Sequence, residues 1–220
     1  MAFLPFSPRA QAWEPIATQL RRLGAVRNGE LIVPAVLAER IGLCLVDANW
    51  ALEDFCKADR DHLLVVASSR WSGGVLPKPL PNGKCICIVN PNHDRRRNKI
   101  TLMEEVVHMH RGHKPSGLRD VMPGLRVRDY HKDHETEAYG IGAAVLLPWD
   151  QFYHGLDAGT PVAELAEAFD VTEALVQYRI KVTAATNLHR NRLNQLVAAG
   201  KRQPVAMVGA VSIHSRRSAG

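Results

Sequence analysis

The sequence is short of several things. Only 6% of its 220 residues are aromatic, and it holds four cysteines. No apolar run approaches the roughly 18 residues that a membrane-spanning helix needs. The opening stretch MAFLPFSPRAQAWEP is broken by prolines and carries no basic-then-apolar leader pattern. Internal repeats and low-complexity tracts are absent. So few cysteines exclude a disulfide-stapled miniprotein, and a content of 46% hydrophobic residues excludes a collagen-like fibre and a wholly disordered chain. The expectation is a cytoplasmic protein whose reduced cysteines act as small hydrophobes. Cys85 and Cys87, in an apolar β-branched run, are expected on opposite faces of a strand, with the spacing of neither a zinc knuckle nor a redox pair.

What is present is ordinary for a globular chain: 46% hydrophobic and 23% charged residues. Lys plus Arg is 28 against 22 for Asp plus Glu, a net charge of +6 that permits nucleic-acid contact without requiring it. Histidine stands apart. Of ten, five (His108, His110, His113, His131 and His134) fall between positions 108 and 134.

The apolar spacing of Trp13, Ile16, Ala17 and Leu20 predicts a helix over 12–22, behind a loose arm. Pro34 opens a second helix running through Leu37 and Ile41 to Leu43, and a third is predicted over 48–57 on Trp50, Leu52 and Phe55. His62–Ser68 reads as a strand, Trp71–Gly74 as a turn, Leu80–Gly83 as a hairpin-type turn and Lys84–Asn90 as a strand. A helix follows over 94–111, with Arg95, Arg96, Arg97 and Lys99 crowding a start where the helix dipole disfavours cations. Residues 117–133 read as a polar loop or short hairpin, and 133–147 as a helix ended by Pro148. A helix pair over 161–186 turns at Asp170-Val171-Thr172, with Thr172 as the cap. This divides the chain into an N-terminal arm and helix (1–34), a core (35–150), a C-terminal helical module (151–199) and a basic flexible tail (200–220).

The chemistry sits in Thr101-Leu102-Met103-Glu104-Glu105-Val106-Val107-His108. On a helix Glu104 and His108, four apart, share a face, with Glu105 rotated by about 100° beside them. That is the geometry of H-E-x-x-H, where the outer two residues hold zinc and the second is the general base. Here the first histidine is replaced by Glu104. The next helix begins Glu135-Thr136-Glu137 and continues through Gly140, Gly142, Ala143 and Ala144. Its small residues allow close packing, so Glu135 and Glu137 are both candidates for a third ligand.

The combination of Ile88-Val89-Asn90-Pro91, the 101–108 string, Gly112-His113 and Glu135-x-Glu137-Ala138 running to Ala143-Ala144 and Leu146-Leu147-Pro148 resembles the ImmA/IrrE family of zinc-dependent metallopeptidases. The resemblance implies an α+β fold: a minimal gluzincin-like core of small sheet plus active-site helices, followed by a helical, helix-turn-helix-like module. It implies Glu105 as the base, His108 and Glu135 as ligands, and Glu104 at the position of the missing histidine. Tyr139 stands where the family has an Asn or Asp that buttresses a histidine ligand. A ligand set with two carboxylates lowers the Lewis acidity of Zn2+ and makes the site more tolerant of Mn2+. The implied activity is hydrolysis of a protein substrate, a DNA-binding repressor. The alternative is a catalytically dead relative serving as a regulatory protein- or DNA-binding module.

Around that centre, Ser72, Gly73 and His134 are candidate substrate contacts, with an edge strand pairing to an extended peptide. His110 and His113 read as partners of the helix C-terminus, His113 as its cap. Direct DNA binding is disfavoured. The helix pair carries Glu164, Glu167, Asp170 and Glu173 around its turn, and its Tyr178, Arg179 and Lys181 come late in the second helix.

Overall fold

The computed structural model describes residues 4–27, 29–53, 56–66, 68–122 and 124–200, and the tail expected from 200 lies, past Gly200, outside them. Helix α1 (Pro8–Leu23) starts four residues before the apolar spacing indicates. The Ser7 hydroxyl caps it by accepting from the Ala10 N–H, and Pro8 sits in the first turn, where its missing N–H costs nothing. Helix α2 (Pro34–Arg40) stops short of the expected Leu43. Gly42 takes a φ of 89°, which turns the chain out of the helix, and Leu43–Val46 becomes strand β1 instead.

The helix expected over 48–57 is also cut short. Asp47 caps a single turn, α3 (Ala48–Ala51), and α4 (Lys57–Asp61) starts afresh; Phe55 lies outside the described residues. His62–Ser68 is not a strand: residues His62–Val66 form a π-helical turn that continues α4. The run is apolar and β-branched but has no second face to bury. Leu63 is enclosed, while Val65 and Val66 are each 70% exposed. Trp71–Gly74 is not a simple turn either, because Gly73–Val75 forms strand β2.

Strand β3 (Cys85–Val89) lies at the centre of a three-stranded sheet, parallel to β1 and antiparallel to β2. Cys85 and Cys87 both point into the main core, which corrects the expectation of opposite faces: residues two apart on a strand share a face. Gly73 and Gly74 are dictated by crowding. A Cβ on Gly73 would stand 2.8 Å from the Ile88 carbonyl, and one on Gly74 would stand 2.6 Å from Val127.

Helix α5 (Arg95–Arg111) is capped by Asp94 and ends at Gly112. The stretch after it is the hairpin, β4 (Gly117–Met122) against β5 (Leu125–Asp129). Helix α6 (Lys132–Leu146) then packs along α5, followed by α7 (Trp149–Asp157), α8 (Val162–Phe169), α9 (Glu173–Val182) and α10 (Thr186–Ala198). Thr172 caps α9 as expected, accepting from the Leu175 N–H. The small residues of α6 set its distances: Gly142 lies against Ile100 and Met103 of α5, and the Trp13 ring of α1 fills the space over Gly140. The main cluster of buried apolar side chains runs from Trp13 through α5 and α6 to Ala185, and a smaller one gathers Leu52, Leu63, Trp71 and Ile88. Among the described residues no helix is long and apolar enough to cross a membrane.

The cations at the start of α5 have a partner that offsets the unfavourable dipole. Asp170, in a left-handed conformation at the end of α8, receives Arg95, Arg96 and Lys99, and Arg96 also forks onto Glu167 at 2.7 and 2.8 Å. Glu167 and Asp170 are therefore occupied from within. On α9, Arg179 is wholly buried against Glu14 of α1 and Tyr178 packs on Tyr139, so two of the three late polar residues of that helix face inward. Burial opposes the charge on Asp170, but hydrogen bonds from Lys99, Arg95 and Arg96 outweigh it and hold the carboxyl far below its usual 3.8. A depressed carboxylate stabilises the fold above its unfolded pKa and stops doing so as pH falls through its folded one. Asp170→Asn, which keeps the left-handed tendency, is expected to cost about 2 kcal/mol at pH 7. That difference should shrink as pH falls below 3.8, as read by urea denaturation of both proteins.

Candidate active site

The close approach of α5 and α6 opens a cavity of about 420 Å³. Thr101, Glu104, Glu105 and His108 of α5 form one wall. Ser72 and Gly73 at the edge strand β2 form another, and Arg119, Arg128 and Asp129 of the hairpin a third, with Tyr130 and Glu135 closing the far side. The loop leading into β2 is held by Asn90, which is fully buried. Its amide donates to the Ser68 and Trp71 carbonyls at 2.6 and 2.9 Å, so the Asn-Pro pair at the end of β3 shapes the cavity mouth.

Glu104, Glu105, His108 and Glu135 thus share one cavity, as do Ser72 and Gly73. Glu135 Oε1 lies 3.6 Å from His108 Nε2. Glu137 is placed elsewhere, its carboxylate accepting from Arg111 Nε at 3.2 Å and facing His113 Nε2 at 3.0 Å. His134 does not line the cavity; its ring stacks on His113 with centroids 4.2 Å apart. His131 is an exposed residue at the start of α6, and His110 also stays out of the cavity.

The sequence puts His113 at the helix end, and its backbone does cap there. The Gly112 φ of 65° lets the His113 N–H reach back to the His108 carbonyl at 3.0 Å, while the Gly112 N–H reaches that of Met109 at 3.2 Å. The same reversal folds the His113 side chain onto His108, with their Nδ1 atoms 3.0 Å apart. Glycine followed by histidine just past the helix was the available signal. Tyr130, Arg119 and Arg128 had no comparable one. Tyr130 stacks on the His108 ring at 3.7 Å and 13°.

The electrostatics are those of carboxylates crowded without enough positive charge. Burial, then the charges of Glu135 and Glu105, raise Glu104 to about 8. Burial and Glu135 raise Glu105 to about 8 against the opposing pull of Arg119 and Arg128. Burial, with His113 and His134 nearby, lowers His108 to about 3, so its imidazole is neutral at physiological pH. The buried Oε2 of Glu105 has no hydrogen-bond partner. Among the described residues no three side chains stand in a finished ligand array. The donor set nevertheless suits a divalent cation: one neutral imidazole and several carboxylates whose mutual repulsion a cation would relieve. Tyr139 of α6 has its hydroxyl raised to about 12 by burial and by the Glu104 charge.

A carboxyl raised in the folded state favours the protonated form, so its effect on stability worsens as pH rises from the unfolded value of 4.5 towards 8. In chelator-treated protein, Glu104→Gln is expected to raise Tm at pH 8 by about 5 °C. The gain should disappear at pH 4.5, where both proteins carry a neutral group, as checked by thermal melts across that range.

Residues 67–181 match the IrrE N-terminal-like domain, a family of peptidases. No curated protein matches the chain. The matched span begins just ahead of the strand that borders the cavity, takes in both helices that carry its carboxylates and closes within α9. It covers more than half of the chain, which therefore belongs to the IrrE N-terminal-like peptidase family.

Proposed function

We infer that the protein is a metal-dependent endopeptidase acting on a protein substrate, with a DNA-binding repressor as the substrate class. The observation that carries this reading is the gathering of Glu104, Glu105, His108 and Glu135 in one cavity beside the edge strand β2. Glu104, His108 and Glu135 would hold the cation, zinc or, given two carboxylates, manganese. Bound there, it would supply Lewis-acid activation of water and of the scissile carbonyl.

The chain's own residues do the rest. Glu105, one position round the helix from Glu104, takes the proton of the attacking water on its carboxylate and returns it to the leaving amine. Its position beside Arg119 and Arg128 helps it to ionise, which a base must do before it can act. Ser72 and Gly73 border the cavity at β2, whose outer edge, unpaired among the described residues, can accept an extended substrate by main-chain hydrogen bonds. Tyr130 keeps the His108 ring in one plane. Arg119 and Arg128 reach the cavity from the hairpin and place positive charge where an oxyanion would develop.

Glu105→Gln keeps the shape of the side chain but cannot take a proton. It is expected to lower cleavage of a co-expressed repressor by at least about 100-fold while leaving zinc content after purification unchanged. Equal cleavage by the variant would remove Glu105 as the base. Absence of metal from wild-type protein grown with zinc and manganese would remove the metallopeptidase reading itself.

A further inference from the structure

His113 does not line the reaction cavity. With His108 and Gly112 it borders a second hollow on the other side of the His108 ring. It is nevertheless among the most constrained side chains near the site. Its side chain is 6% exposed, its Nε2 meets Glu137 Oε2 at 3.0 Å, its Nδ1 meets His108 Nδ1 at 3.0 Å, and His134 is stacked on its face.

The proton positions follow from counting donors. Glu137 accepts from Arg111 through its other oxygen, so its carboxylate has only lone pairs to offer His113. The proton between them sits on His113 Nε2. A neutral imidazole carries one N–H, which leaves His113 Nδ1 as an acceptor. The atom facing it, His108 Nδ1, must then be the donor. That leaves the lone pair of His108 on Nε2, the atom 3.6 Å from Glu135 Oε1.

We propose that Glu137 and His113 are positioning residues, which lock His108 as its Nδ1–H tautomer and so aim its Nε2 lone pair at the metal position. The relay acts on His108 from the helix end. The proposal rests on the reading of His108 as a ligand, because only a ligand needs its Nε2 free. Hydrogen bonds that orient a ligating imidazole characteristically contribute about 10–100-fold in metal affinity.

The test uses the full chain. Long-range 1H–15N spectra of the metal-free protein at neutral pH are expected to place the proton on Nδ1 of His108 and on Nε2 of His113. Zinc titration by calorimetry should give a dissociation constant about 10–100-fold weaker for His113→Phe, which fills the space without an acceptor. His113→Gln, whose amide oxygen can accept the same proton, should recover most of that loss. A wild-type spectrum with the His108 proton on Nε2 overturns the relay, as does a His113→Phe protein with unaltered tautomer and zinc affinity. The wild-type spectrum requires no variant, so it decides the matter even if a substitution fails to fold. Wild-type protein that binds no zinc or manganese defeats the functional reading instead, and the tautomer still answers for the relay.

Discussion

The separation between α5 and α6 is the constraint on which the rest of the structure depends. Gly142 lets the backbone of α6 settle against Ile100 and Met103, and Ala138, Ala143 and Ala144 are wholly buried along the same helix. At that distance a carboxylate in the first turn of α6 lies opposite an imidazole near the last turn of α5, which is how Glu135 comes to face His108. A Cβ at position 142 would already stand 3.3 Å from Ile100 and Met103, so a large side chain there would press the two helices apart. Trp13 extends the same logic to the other side, where α1 can lie flat on α6 only because position 140 is glycine.

Packing of this kind places charges where solvation alone would never gather them. Three glutamates line one cavity, two of them with carboxyls raised to about 8, and the nearest fixed positive groups are the hairpin arginines. The fold tolerates this because the cost falls on a few residues while the hydrophobic cluster behind them is continuous. The opposite arrangement holds at the far end of α5, where Arg95, Arg96 and Lys99 meet Glu167 and Asp170 in compensating pairs. One helix therefore carries a satisfied ionic cluster at its start and an unsatisfied one within it, and the latter is where chemistry is to be expected.

The legible parts of the sequence were those with a strong period or a strong local rule. Glu104 and His108 announce a shared helix face with Glu105 beside it, Thr172 a helix start, and the glycines and alanines after Glu135 a close helix contact. The illegible parts depended on what lay across the space. His62–Val66 has strand composition but no face to bury, and Gly73-Gly74 looks like a turn until the crowding by Ile88 and Val127 is known. The basic run at the start of α5 conflicts with the helix dipole as far as local sequence goes, because its partners lie 71 to 75 residues further on. Helix spacing alone leaves Glu135 and Glu137 equivalent, whereas the structure puts Glu135 inside the cavity and ties Glu137 to Arg111 and His113.

The crowding around Gly73 and Gly74 fixes how the cavity wall is assembled. Position 73 has no room for a side chain, so β2 meets the cavity there with its peptide groups, beside Trp71 and Ser72. Position 74 has none either, because Val127 of β5 rests on it, so the hairpin that carries Arg119, Arg128 and Asp129 to the cavity is seated on the strand. A side chain at position 74 would lift that hairpin and draw its arginines away from the carboxylates.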